Sequence, residues 1–204
     1  MSELSILQAV RFKGRCTAEA AAAVAGVSPS EASQRLEQLA GSALVSGAVN
    51  SAFRITAEGK QRVAELIAAE AAEVDGNALA AEYSSFDEYN SEFKAIITAW
   101  QMKDPETPND HLDQEYDEQV VHRLGELHTR FAPLLNGIVA LADRLKPYPG
   151  RFENALDRIV SGDHTFIARP LIDSYHTVWF ELHEELIGLL GRTRAEEAAA
   201  GRAI

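Results

Sequence analysis

The tetrapeptide Ser28-Pro29-Ser30-Glu31, two residues beyond Gly26, constrains this chain more than any other stretch in it. A capping serine, a proline at the first helical position and a glutamate three residues past the cap together start a helix by satisfying its orphaned first-turn donors. Ahead of it, residues 17–25 are mostly alanine and predict a thin helix that can pack closely, stopped by Gly26 with Val27 in a short turn. Behind it, Ala32, Leu36 and Leu39 fall at i, i+4 and i+7, one buried stripe that leaves Ser30, Ser33, Gln34, Glu37 and Gln38 outward until Gly41 ends the helix. Residues 44–48 and 52–55 are strand-like, with Val49-Asn50-Ser51 as turn chemistry between them, and Thr56 caps a further helix. A leading helix over residues 4–12 precedes all of this. Lys13-Gly14-Arg15 breaks it and sets two cations at the edge of the unit.

Helix, turn, helix and hairpin in that order predict a winged helix-turn-helix. The string Phe53-Arg54-Ile55-Thr56-Ala57-Glu58-Gly59-Lys60 resembles the wing-to-helix junction of MarR- and PadR-type regulators, in which a strand runs into Leu-Thr-x-x-Gly-Lys/Arg. Ile55 stands here in place of the leucine. The resemblance implies that the second helix enters the major groove of double-stranded DNA, with Ser28, Ser30, Ser33 and Gln34 placed for base edges or phosphates. Arg35, Arg54 and Lys60 would hold the backbone and Asn50 would sit at the wing tip. The competing reading of the serines and Gln34 is a solvated helix face.

From Thr56 to about Val74 the chain reads as a linking helix, and Asp75-Gly76-Asn77 as a boundary between a unit of residues 1–74 and one of residues 75–204. In the second unit Ser85-Phe86-Asp87-Glu88 has the form of a capping box. Phe86, Tyr89, Phe93, Ile96 and Trp100 then recur as an aromatic stripe at heptad spacing. Residues 104–110 form a polar loop with two prolines. Helix returns from about Asp113 to Ala132, and Pro133 either kinks it or opens the next one. A shorter helix holds Phe152, Leu156 and Ile159. A last long helix begins near Pro170 with Leu171, Tyr175, Val178, Leu182, Leu186 and Leu189 inward, and residues 192–204 read as a frayed tail. The expected fold is mostly α: an N-terminal winged helix-turn-helix plus a C-terminal antiparallel all-α helical bundle without strands.

All six histidines lie in the second unit. Glu118 and His122 are four apart and share a helical face, as do Asp173, His176 and His183. Imidazole and carboxylate from facing helices are donors suited to a divalent metal, and Glu118, His122, Asp173 and His176 are the candidate ligands. The Glu118-x-x-x-His122 pair with the later histidine-bearing helix resembles the metal-holding FCD effector domains of GntR-type regulators, although those have aspartate at the first position and a different histidine spacing. The competing reading is that these histidines are hydrogen-bonded core or boundary residues. Trp100, Arg169, Tyr175, His176, Trp179 and His183 are candidates for an effector pocket, aromatics for area and the arginine for a carboxylate or phosphate. Here the alternative is that the tryptophans are simply large core residues. Asn109-Asp110-His111 together with residues 172–179 is also similar to a helical module of actinobacterial winged-helix proteins, which implies an accessory domain of unknown ligand.

The formal net charge of −12 at first argues against nucleic acid. Its distribution argues otherwise: residues 1–66 hold seven Lys/Arg against six Asp/Glu, and residues 67–204 hold 12 against 25. The acidity thus sits away from the expected reader, and a balance of +1 makes pairing into a homodimer nearly necessary for affinity. One cysteine, Cys16, excludes an internal disulfide framework; it reads as a small semi-buried residue rather than a redox switch. No apolar run approaches the roughly 20 residues that span a bilayer, and the first residues lack a signal-peptide pattern, so a cytoplasmic protein is expected. The chain has no G-x-S-x-G, P-loop, G-x-G-x-x-G or H-E-x-x-H, since position 187 is isoleucine. These observations point to a non-enzymatic, ligand-responsive transcriptional regulator sensing an organic acid or its CoA ester. The rival is an interaction module docking on a metabolic enzyme such as a phosphotransferase.

Overall fold

Side-chain caps set where the N-terminal helices begin. In the computed structural model, which describes residues 2–48 and 51–199, Ser2 caps α1 (Glu3–Lys13), Thr17 caps α2 (Ala18–Ala25) and Ser28 caps α3 (Pro29–Gly41). Gly26 ends α2 in the left-handed conformation, where a side chain is costly. Two short strands follow, β1 (Val45–Ser46) and β2 (Arg54–Ile55), antiparallel with Val45 opposite Ile55 and Ser46 opposite Arg54. Cys16 bridges to Phe53 beside them and is fully buried, and burial pushes its thiol up to about 12. That suits the small-residue reading and leaves the thiol protonated.

Thr56 caps α4 (Ala57–Ala71), accepting from the Gly59 amide at 3.0 Å, while its hydroxyl lies 2.8 and 2.9 Å from the carbonyls of Ala43 and Leu44. Gly59 is required there because a Cβ would overlap the Leu44 carbonyl oxygen. The Thr-x-x-Gly spacing is therefore a lock between the hairpin and α4. The core of this part is formed by Ile6, Leu7, Val10, Leu36, Phe53 and Val63 among others.

Asp75 caps α5 (Gly76–Gln101), which packs on α6 (Gln114–Leu141). The pair is antiparallel: Glu82 meets Gly137, Tyr89 bonds to Arg130 and Tyr116 bonds to Ala99. Next come a 3-10 turn (Asp143–Leu145), α7 (Tyr148–Val160), the short α8 (Thr165–Ala168), α9 (Tyr175–Leu189) and α10 (Arg194–Ala199). Helix accounts for 72% of the structure, with ten helices and two small sheets among the described residues. No described helix is long and apolar enough to cross a membrane. A second core runs through the aromatic stripe of α5 (Phe86, Phe93, Trp100) into Phe131, Phe152 and Trp179.

Several boundaries differ from the sequence expectation. Ser85 lies inside α5, its hydroxyl directed at the Ala81 carbonyl, because Leu79, Tyr83 and Phe86 continue one buried stripe across that point. Pro133 also lies within one helix, on its exposed side, where water can satisfy the carbonyl it strands. The polar loop is a hairpin of β3 (Met102–Asp104) and β4 (Thr107–Pro108), closed by Asp104 accepting from the Glu106 and Thr107 amides. The last long helix starts at Tyr175, capped by Ser174, and Leu171 is 78% exposed with φ 71° rather than inward. Within the expected tail, residues 194–199 are helical and Glu197 is buried against Tyr83 at 2.6 Å. Residues 200–204 lie outside the described ones.

The two cores meet across a layer of buried charge. Lys13 reaches Asp173 at 2.6 Å and Glu181 at 2.7 Å, and Arg151 pairs with the same two carboxylates. Arg144 joins Glu70 of α4 to Glu185 of α9, Gln8 donates to Glu185 at 2.8 Å, and Arg11 lies 3.7 Å from Glu184. Lys13 is thus not an edge cation but one of the most buried charges in the protein, its side chain 4% exposed. Burial would raise the Asp173 carboxyl, but Arg151 and Lys13 outweigh it and hold the group at about 2.

Removing Lys13 strands two carboxylates on Arg151 alone, so Lys13→Met is expected to cost about 3 kcal/mol in urea unfolding. Because the folded Asp173 pKa is depressed from 3.8, its contribution is fully present above that value. It is lost as pH falls through about 2, a change of about 2 kcal/mol that Asp173→Asn should remove. An identical acid slope in variant and parent would contradict this.

Candidate functional site

Two regions present unengaged polar chemistry: the outer face of α3, and a groove at the end of the bundle that carries the β3–β4 hairpin. On α3 the capping box is complete, Ser28 accepting from the Glu31 amide at 3.3 Å while Glu31 accepts from the Ser28 amide at 3.0 Å. The Ser28 hydroxyl also donates to Glu31 at 2.7 Å and so is already engaged. Ala32, Leu36 and Leu39 face inward; Ser30, Gln34 and Arg35 are exposed, and Ser33 is half-buried. Arg35 donates to Gln38 at 2.8 Å. Arg54 on β2 and Lys60 on α4 are exposed, and Asn50 lies outside the described residues. Arg15, Arg35, Arg54 and Lys60 carry no ion pair among the described residues, whereas Arg11, Lys13 and Arg62 do.

The six candidate effector residues divide. Trp100 and Arg169 line the groove, which has a volume of about 1340 Å³. Tyr175, Trp179 and His183 are interior instead. Trp179 stacks on Phe93 with centroids 4.4 Å apart and donates to Asn90 at 3.0 Å. His183 bonds to the Tyr83 hydroxyl at 2.9 Å, and the Tyr175 hydroxyl lies 3.2 Å from His128. These rings are interior because the aromatic faces of α5 and α9 meet there. His176 is half-buried beside a separate cleft of about 350 Å³ shared with Phe12 and Leu171, and burial lowers its pKa.

Glu118, His122, Asp173 and His176 do not assemble into a metal centre. Glu118 accepts from Gln114 on the exposed side of α6, His122 faces Glu126 there, and Asp173 is consumed by Lys13 and Arg151. Among the described residues no group of three or more His, Cys, Asp or Glu side chains is arranged to hold a metal ion.

The groove contains a unit that residue spacing did not single out. His111 and Asp117 line it, and the buried Asn109 is hydrogen-bonded to both. The two amide hydrogens of Asn109 go to the Trp100 carbonyl at 3.1 Å and to Asp117 Oδ1 at 2.7 Å. Its oxygen accepts from the His111 amide at 3.1 Å, which helps hold His111 in a left-handed conformation (φ 59°). With both Asn109 hydrogens spent, the 3.0 Å approach of His111 Nδ1 to Asp117 Oδ2 needs its proton on the histidine. Nε2 is then the ring atom left for a ligand. The imidazole lies on Trp100, centroids 4.4 Å apart, and His164 meets the same indole edge-on at 5.5 Å. Asp117, six residues from His111 and across a helix start, offered no periodic signal; only the short polar string at 109–111 marked the place.

No protein-family model matches the chain, and no curated protein or solved structure matches it either.

In long-range proton–nitrogen correlation spectra at neutral pH, the uncharged fraction of His111 is expected to be the Nδ1–H tautomer. Asp117→Asn should release that preference. A dominant Nε2–H form in the parent protein would contradict the hydrogen-bond assignment.

Proposed function

We propose that the protein is a ligand-responsive transcriptional regulator whose N-terminal part is a winged helix-turn-helix reading double-stranded DNA as a homodimer. The observation carrying this reading is the polar outer face of α3. Ser30, Gln34 and Arg35 stand exposed there, while the rest of the chain packs chiefly on α1, α2 and α4 through the ionic layer and the packing of α4 on α9. Ser30 and Gln34 suit base edges, and Arg15, Arg35, Arg54 and Lys60 suit phosphates. Four cations per protomer give a modest electrostatic footprint, so the paired molecule carries the affinity. The helical remainder senses a small molecule and alters the spacing of the two readers.

A second reading has a specific observation behind it: Glu31 and Glu37 are exposed on the same helix and would repel phosphate. On that reading the α3 face docks on a partner protein, such as a phosphotransferase-type metabolic enzyme.

Anisotropy titration of a labelled sheared duplex pool at about 50 and 200 mM salt separates the two. The regulator reading expects binding that weakens with salt. Its log–log slope should become shallower by about 0.9 for each phosphate that an Arg54→Ala/Lys60→Ala variant no longer neutralises. Absence of binding at the lower salt, or a slope that the variant leaves unchanged, would favour protein docking.

A further inference from the structure

The groove at the hairpin end of the bundle brings together groups of definite chemistry. Its acidic groups are engaged: Asp117 by His111 and Asn109, and Glu118 by Gln114. Arg169 on its wall is exposed and has no ion pair among the described residues, so it is the groove's free cation, set against two carboxylates that are hydrogen-bonded but not neutralised. His111 adds a second fixed group, with Nδ1 committed to Asp117 and Nε2 left as an acceptor in the neutral ring. The remaining wall is mixed, with Gln101, His122, His164 and Thr165 beside Val121 and Ile159. Three large hydrophobic side chains are strongly exposed among the described residues, and two of them, Leu112 (84%) and Val160 (71%), stand at this groove. Its volume of about 1340 Å³ exceeds what an inorganic ion or a two-carbon acid would fill. Holding His111 at φ 59° has a conformational cost for a non-glycine residue, and the Asn109–Asp117 pair beneath it supplies the compensation.

We infer that this groove binds an amphipathic organic acid bearing a hydroxyl or amide donor, its carboxylate on Arg169, its donor on His111 Nε2 and its alkyl or acyl body along Leu112 and Val160. An anion alone would leave the histidine and the apolar rim unused, and a neutral lipid would leave the arginine unused. The inference that such binding controls DNA affinity rests on the regulator reading; the binding itself does not.

Isothermal titration of the full chain with 3-hydroxydecanoate, decanoate and 1,3-decanediol, below their aggregation thresholds, tests the assignment. The hydroxy acid is expected to bind tightest. Arg169→Gln, at an exposed position, should weaken it by about tenfold and erase its advantage over the diol. His111→Asn, a residue that tolerates left-handed backbone, should weaken it by about fivefold and erase its advantage over decanoate. Circular dichroism of each variant confirms that the fold is retained. Equal affinity for acid and diol, indifference to Arg169→Gln, or no binding of any probe at millimolar concentration would overturn the proposal. Repeating the DNA titration with saturating hydroxy acid separates the two claims: binding without a change in DNA affinity leaves the groove standing and removes its role as a sensor.

Discussion

Buried charge, alongside the packing of α4 on α9, joins the two halves of this protein. Lys13 and Arg151 share Asp173 and Glu181, and Arg144 ties Glu70 to Glu185. Such pairs add little net stability over well-packed apolar groups, but each member is costly to strand, so the layer fixes geometry. An apolar seam could slide; this one has a single register. Glu181, Glu184 and Glu185 are neighbours on one face of α9, and Gln8, Arg11 and Lys13 answer them from α1. Burial disfavours the Arg151 cation, yet Glu181 and Asp173 more than reverse the effect and raise its pKa, so Arg151 stays ionised across ordinary pH.

That constraint places both candidate surfaces. With α1 and α4 committed to the seam, α3 is left on the outside with its polar residues clear. With α7 and α9 held on the other side, the C-terminal end of α7 and the turn into α8 form one wall of the hairpin-end groove. A ligand bridging that wall to α6 would act on the α7 helix that carries Arg151, and Arg151 shares carboxylates with Lys13 at the end of α1.

Much of the helical framework was legible in the sequence because caps and periodicity are local. The Ser28 capping box, the Thr56 cap and the α5 aromatic stripe all appear where their residues predict them. Sequence and structure part where tertiary packing overrides a local signal. Ser85 has the form of a cap but lies within a helix whose buried stripe continues, and Pro133 is tolerated on a solvent-facing side. Asp173 has helical spacing to His176, yet it is drawn into the seam by cations 160 and 22 residues away in sequence. Spacing does not tell the tryptophans apart: Trp179 lies inside the aromatic core, while Trp100 sits at the groove. The His111–Asp117–Asn109 unit has no periodic signature because two of its parts lie in the connection after β4 and the third in the first turn of α6.

If the ionic layer makes the two cores one cooperative unit, they must melt together. Differential scanning calorimetry of the full chain at neutral pH tests this most directly. A single transition with matching calorimetric and van't Hoff enthalpies is the expected result. Two resolved transitions, with the N-terminal core melting independently of the bundle, would contradict it.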